Sequence, residues 1–166
     1  MRFTPASILL ASALALSASS GMSQKTAAPA TNSRAAPWVA KGAQALASGN
    51  LTVARDAYET ALLLSPQDTD IFLQLGKIAR AQKLPGKAIR YYGRVLDLDE
   101  TNQAALQGEG LAMMDKGATE SARETLAKLR AVCKSSCASA EPLAAAIAAG
   151  APKVAAAETP KATEHQ

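Results

Sequence analysis

Hydrophobic residues recur along this chain at a fixed interval of 34 positions. Between the returning positions, each unit holds two segments in which apolar residues come back every three or four positions, the spacing of an amphipathic helix. A 34-residue period with two helices in each unit predicts an array of helical hairpins. The returning sets are Trp38, Phe72 and Leu106; Gly42, Gly76 and Gly110; Ala54, Ala88 and Ala122; Tyr58, Tyr92 and Leu126; and Leu64, Leu98 and Val132.

Capping and breaking residues divide the three units into six predicted helices. Asn50 can cap the second helix, Asp68 or Thr69 the third, and Thr119 the sixth, while Pro85 suits the first turn of the fourth. The six helices are expected at 38–47, 51–64, 70–82, 85–98, 102–115 and 119–132. A seventh is expected at 139–150, because Leu143 and Ile147 share one face and Gly150 can end it.

These residues resemble the tetratricopeptide repeat (TPR) family, whose pattern combines aromatic residues, a Leu-Gly pair, alanines and a closing proline. The first two units match well and the third matches less closely, with Gly110 and Ala122 kept. The matching residues are Trp38, Gly42, Ala54, Tyr58, Ala61 and Pro66 in unit one and Phe72, Leu75, Gly76, Ala88 and Tyr92 in unit two.

The resemblance implies an all-α fold, an α-solenoid of three TPR helix-turn-helix hairpins with a C-terminal capping helix. The TPR domain is expected at 37–150, with repeats at about 35–68, 69–102 and 103–136 and the cap at 139–150. Each repeat glycine is expected where the two helices of a hairpin cross, facing the repeat alanine. The aromatic residues Trp38, Tyr58, Phe72 and Tyr92 are expected to fill the space between hairpins.

The segments on either side of the repeats have no helical period. Residues 1–23 read as a secretory signal peptide, with Arg2 before an apolar run and small residues at Ala18-Ser19-Ser20. Residues 24–36 are predicted to be a flexible linker and 151–166 a disordered tail. We therefore expect an exported, periplasmic protein without an integral membrane span after leader cleavage, the alternative being an uncleaved N-terminal anchor.

Composition argues against several functional classes. Net charge is +4 and only 4 % of residues are aromatic, without the basic stripe and stacking residues that nucleic-acid binding requires. The single histidine, His165, lies in the predicted tail, so no Ser-His or Cys-His pair can form within the repeats. We expect no enzyme, no cofactor and no metal site.

Two cysteines lie four positions apart, Cys133 and Cys137. The repeat register places both around a turn and not within one helix, so a disulfide can form between them in an exported protein. Two free thiols and a redox-active pair are the alternatives.

The resemblance also implies a concave groove lined by the first helix of each hairpin. The lysine, arginine and asparagine clamp of chaperone-binding members is missing at the matching positions, which include Val39, Ala43, Gln74, Ala104 and Gly108. An apolar groove with a basic spot at Lys77 and Arg80 suits an apolar or amphipathic peptide or helix. The predicted groove residues are Val39, Ala43, Leu46, Leu73, Lys77, Arg80, Gln107, Leu111 and Met114.

The predicted function is therefore a scaffold that binds a protein partner in the cell envelope, in pilus, secretion or envelope assembly. The alternative is a self-associating structural protein that forms homo-oligomers. The groove residues also have a simpler interpretation, as ordinary core or as a surface covered by the chain's own ends.

Overall fold

The computed structural model describes residues 33–133 and 137–150. The predicted leader at 1–23, positions 24–32 of the predicted linker and the predicted tail at 151–166 lie outside these residues. The described residues form α-helices and one short 3₁₀ turn, Ala138–Ala140, and contain no strand. The helices are α1 Ala36–Ala47, α2 Leu51–Leu64, α3 Thr69–Ala81, α4 Pro85–Leu98, α5 Gln103–Lys116, α6 Thr119–Cys133 and α7 Glu141–Gly150.

The fold is the all-α solenoid that was predicted, with three hairpins (α1–α2, α3–α4 and α5–α6) followed by the terminal helix α7. Local polar side chains set the helix starts. The Asn50 side chain accepts a hydrogen bond from Val53 N at 3.1 Å, as predicted. Asp68, and not Thr69, caps α3 by accepting from Asp70 N and Ile71 N.

The turn inside each hairpin contains one residue with positive φ, always at the same repeat position. Gly49 has φ 74°, Lys83 has φ 61° and Gly117 has φ 83°. This left-handed conformation closes the end of the preceding helix and suits glycine, because a Cβ crowds the backbone there. Unit two alone among the three places a lysine at this position.

Two of the repeat glycines, Gly42 and Gly76, make room for tyrosine rings. A Cβ built on Gly42 would lie 2.7 Å from the Tyr58 ring, and one built on Gly76 would lie 2.7 Å from the Tyr92 ring. Tyrosine rings, and not the alanines that were expected to face these glycines, are therefore nearest to Gly42 and Gly76. Ala54, Ala88 and Ala122 are nevertheless fully buried.

Three of the four aromatic residues expected between the hairpins are buried there, and the fourth, Trp38, is not. Trp38 is 36 % exposed, and Lys41 Nζ lies 5.2 Å from its ring centroid. Its counterpart Phe72 packs against the small Ala105. The residue that corresponds to Ala105 in the first junction is the larger Ile71, which is buried in the first core cluster.

The terminal helix α7 continues the core beyond the third hairpin. Leu143 is fully buried and Ile147 nearly so, in a cluster with Leu106, Leu126 and Leu129. At the other end, Ala35 lies in the range predicted as linker, yet it is fully buried in the first core cluster.

Candidate functional site

The first helices of the three hairpins, α1, α3 and α5, carry all nine predicted groove residues. We call the surface that these residues form the A-helix surface. Ala43 and Lys77 are exposed on it. The other seven are partly buried: Val39, Leu46, Leu73, Arg80, Gln107, Leu111 and Met114.

The apolar members of this surface also belong to the margin of the core. Val39 and Leu46 pack against the first core cluster, and Leu73 packs against the clusters around Phe72 and Tyr92. Leu111 and Met114 pack against the cluster that contains α7. A Cβ built on Gly150, the last residue of α7, would lie 2.8 Å from the Met114 methyl carbon. These side chains can form the floor of a groove but contribute to stability as well.

A small cavity lies between α1 and α3. Its volume is about 230 Å³, and Val39, Asp70, Ile71 and Gln74 are among the residues that line it. Asp70 is exposed in the first turn of α3, where a negative charge also favours the helix dipole. This end of the A-helix surface therefore carries an acidic group, which sequence reasoning missed. The signal was present, because Asp70, Leu73, Gln74 and Lys77 share one helical face.

The predicted basic spot consists of Lys77 and not of Arg80. Arg80 Nε lies 2.7 Å from Asp115 Oδ2, in an ion pair that joins α3 to the end of α5. Within residues 33–133 and 137–150, no carboxylate lies within ion-pair distance of Lys77. The two cations were expected to act together, but Asp115, 35 residues from Arg80, compensates one of them.

Tyr92 lies near this ion pair, and its ring packs between Gly76 of α3 and Gly108 of α5. A Cβ built on Gly108 of α5 would lie 2.4 Å from the Tyr92 Cζ atom. Burial raises the pKa of Tyr92 to about 12, with Arg80 acting against the shift and Asp115 adding to it. Gly108 is one of the positions that match the carboxylate clamp, and the ring leaves no room there for a clamp side chain.

The two cysteines lie close together, between α6 and α7. Cys133 ends α6 and Cys137 directly precedes the 3₁₀ turn, with their Cα atoms 5.3 Å apart, a separation that a disulfide can span. Ser139 Oγ lies 3.5 Å from Cys133 Sγ and donates a hydrogen bond to Gln103 Oε1 of α5 at 2.9 Å. The structure thus brings the pair together next to α7, and the disulfide itself stays a prediction.

The part of the chain that the structure describes contains neither a membrane-spanning helix nor a metal-ligand cluster. None of its helices is long and apolar enough to cross a membrane. Among the same residues, no group of three or more histidine, cysteine or acidic side chains is placed to hold a metal ion.

The comparisons with known proteins identify the fold. No protein-family model and no curated protein sequence matches the chain. Solved structures do match the chain, and several of them are TPR domains. The Sgt2 TPR domain from Aspergillus fumigatus is 18 % identical, with a TM-score of 0.64 over 72 % of this chain and 78 % of that one.

The TPR2B domain of yeast Sti1, solved in its pHsp70 complex, is 17 % identical, with a TM-score of 0.65 over 71 % of this chain and 98 % of the other. PcrH from Pseudomonas aeruginosa is 17 % identical, with a TM-score of 0.64 over 76 % and 98 % of the two chains. At these identities the likeness shows the fold, which is that of TPR domains.

Proposed function

We propose that this chain, which has the TPR fold, is a non-enzymatic protein-interaction module that binds a partner segment on its A-helix surface. The main observation in support of this proposal is that exposed Lys77 lies beside half-buried Leu73 and Leu111 on neighbouring helices. A surface with an apolar floor and one uncompensated cation favours an amphipathic helix or an extended apolar peptide. The Sti1 domain, solved in its pHsp70 complex, supports peptide binding as the use of this fold.

The charges of α3 define the partner further. Asp70 and Lys77 are seven residues apart, about 10 Å along the helix, and the side chains of Leu73 and Gln74 lie between them. A partner that places a basic group near Asp70 and an acidic group near Lys77 complements both ends. Because the clamp positions hold Val39, Gln74 and the covered Gly108, a C-terminal carboxylate is not the feature that this surface recognises.

The cellular setting in this proposal is the envelope of an exporting cell, in pilus, secretion or envelope assembly. Its support is the leader predicted at 1–23 and the cysteine pair, which suits an oxidising compartment. N-terminal sequencing of the protein from a periplasmic extract tests this setting. A mature chain that begins near residue 20–24 supports it, and an intact Met1 in the cytosolic fraction contradicts it.

Photo-crosslinking tests the surface directly. A photoreactive amino acid is placed at position 43 or 77, both exposed on the A-helix surface, or at position 90, which is exposed on α4. We expect an adduct with another polypeptide from positions 43 and 77 and none from 90. Charge reversal by Lys77→Glu, in a chain labelled at 43, should reduce this adduct. An equal yield from all three positions would contradict the proposal.

Self-association is the second candidate, and one observation favours it. Leu63 on α2 is 83 % exposed, so its side chain is available for contact with a second copy of the chain. Light scattering at two concentrations separates the candidates, since a monomer supports the interaction module and a concentration-dependent mass supports a structural oligomer. A crosslinked adduct of twice the chain mass would also support self-association.

A further inference from the structure

The two junctions between repeats are built differently, although the repeat pattern relates them residue by residue. In the first junction, Leu75 of α3 is 1 % exposed and packs in the core cluster that contains Tyr58. A polar cluster closes the same junction, because Glu59 Oε1 lies 3.1 Å from both Lys87 Nζ and Tyr91 Oη. The first junction is therefore filled by an apolar side chain and tied by two hydrogen bonds.

The second junction lacks each of these parts. Shifted by 34 positions, Leu75 becomes Glu109, Glu59 becomes Gly93 and Tyr91 becomes Thr125. A cavity of about 420 Å³ lies here between α4, α5 and α6. This volume is within the range of ligand sites in proteins. Its lining includes Leu96, Leu106, Val132, Glu100, Glu109 and Lys128.

Glu109 gives the cavity its chemical character. Its side chain is partly buried, and burial raises the pKa of its carboxyl, while the charge of Lys128 acts in the opposite direction. No residue within 33–133 and 137–150 donates a hydrogen bond to this carboxylate, and Lys128 does not come within ion-pair distance of it. A partly buried carboxylate without a hydrogen-bond donor is costly unless a cation reaches it.

The position of Glu109 separates this cavity from the A-helix surface. Glu109 is two residues from both Gln107 and Leu111, so it lies about 200° around α5 from each of them. The cavity thus opens on the opposite side of α5, and nothing in the proposed function uses it.

We infer that the second junction is a separate docking site for a basic side chain, lysine or arginine, of a partner polypeptide. The charged head group donates to Glu109, and the aliphatic stem lies against Leu96, Leu106 and Val132. Charge complementarity favours this occupant, because the lining carries two carboxylates, Glu100 and Glu109, against one ammonium group, Lys128. Long basic side chains bury their stems on apolar surfaces in this way.

The test uses the full chain and three short-chain probes whose head groups are cationic, neutral and anionic: n-butylguanidinium, n-butanol and butyrate. The methyl signals of Leu96, Leu106 and Val132 are followed by NMR during each titration. We expect n-butylguanidinium to bind at least tenfold more tightly than butyrate, with n-butanol between them. Tighter binding of butyrate would mean that Lys128 is the binding group and would overturn the inference. The absence of any shift at these methyl groups would also overturn it.

Two variants and one control show whether Glu109 is the group that binds. Glu109→Gln keeps the shape and should weaken n-butylguanidinium at least tenfold while n-butanol binding stays unchanged. Glu109→Leu should abolish binding of the cation and keep the fold, because it restores the residue found in the first junction. The control Glu124→Gln makes the same charge change at an exposed position of α6 and should leave all titrations as in the wild type. Undiminished cation binding in Glu109→Gln would refute the assignment.

A peptide distinguishes a polypeptide partner from a small free amine or guanidine. Acetyl-Ala-Arg-Ala-amide should shift the same methyl groups at least as strongly as n-butylguanidinium. If n-butylguanidinium binds and the peptide does not, the site takes a free small cation and the polypeptide assignment is wrong. Charge reversal at Lys77 should leave these titrations unchanged, so this site and the A-helix surface can fail independently.

Discussion

Leu143 of α7 packs against Gly110 of α5, in the place that tyrosine rings take in the first two hairpins. A Cβ built on Gly110 would lie 2.4 Å from Leu143 Cδ2, as one on Gly42 or Gly76 would lie 2.7 Å from a tyrosine. The third hairpin has Leu126 instead of the tyrosine, so the terminal helix supplies the missing bulk from outside the repeat. This contact explains why α7 is part of the fold and not an appendage to it.

Truncation of Leu143 should therefore be costly. Leu143→Ala removes a fully buried side chain, and we expect it to lower the free energy of unfolding by about 2–5 kcal/mol. Urea denaturation measures this loss. The matched control is Leu63→Ala, on a side chain that is 83 % exposed, which should change stability by less than about 0.5 kcal/mol. Similar losses in the two variants would show that α7 does not seal the third hairpin.

The close contact between Tyr92 and Gly108 predicts a strong effect of a single methyl group. Gly108→Ala places a Cβ 2.4 Å from the ring, and the overpacking should cost about 1–3 kcal/mol despite the better helix propensity of alanine. The control is Gly86→Ala in α4, where a Cβ meets nothing within 4 Å. That variant should gain up to about 1 kcal/mol. Thermal unfolding measures the stability of both variants. A Gly108→Ala variant that is more stable than Gly86→Ala would contradict the contact between Tyr92 and Gly108.

Lys83 should be replaceable by glycine with a gain in stability. Its φ of 61° is the left-handed conformation, which Gly49 and Gly117 adopt at the same position of the other hairpins. Lys83→Gly removes the crowding by Cβ, and we expect a gain of about 0.5–1 kcal/mol. Lys116→Gly, at the last residue of α5, should instead destabilise, since that backbone is helical. Calorimetry on the two variants checks the opposite signs.

The half-buried Glu109 predicts a pH-dependent stability. Burial raises its pKa in the folded state above the ordinary value of 4.5. Between pH 4.5 and this raised pKa, the folded state therefore binds more protons than the unfolded state. Its contribution is most favourable below pH 4.5 and is lost as the pH rises through the folded pKa. The charged groups that face it are Lys128 on α6 and Glu100, which follows α4.

Urea denaturation between pH 4 and pH 8 isolates this contribution. As the pH rises, the wild type should lose stability relative to Glu109→Gln, while Glu124→Gln should follow the wild type. The contribution of Glu100 cancels in the comparison because all three chains contain this residue. A gain of wild-type stability over Glu109→Gln with rising pH would contradict the burial of this carboxyl.

The sequence by itself determined the repeat, because a 34-residue period is a local property that helix geometry translates directly into hairpins. The helices began and ended within two residues of their predicted positions, since caps such as Asn50 and breakers such as Pro85 act on their own neighbours. Periodicity could also show that Tyr58 and Tyr92 belong to the interior.

Only the tertiary structure decided which residues of different units meet. Asp115 compensates Arg80 across 35 residues, Leu143 replaces a missing ring against Gly110, and Phe72 is buried against Ala105 while Trp38 stays exposed. Each of these depends on the size or charge of a side chain on another helix, which a one-dimensional pattern does not report. The cavity at Glu109 depends in the same way on residues of α4, α5 and α6, which become neighbours only when the hairpins stack.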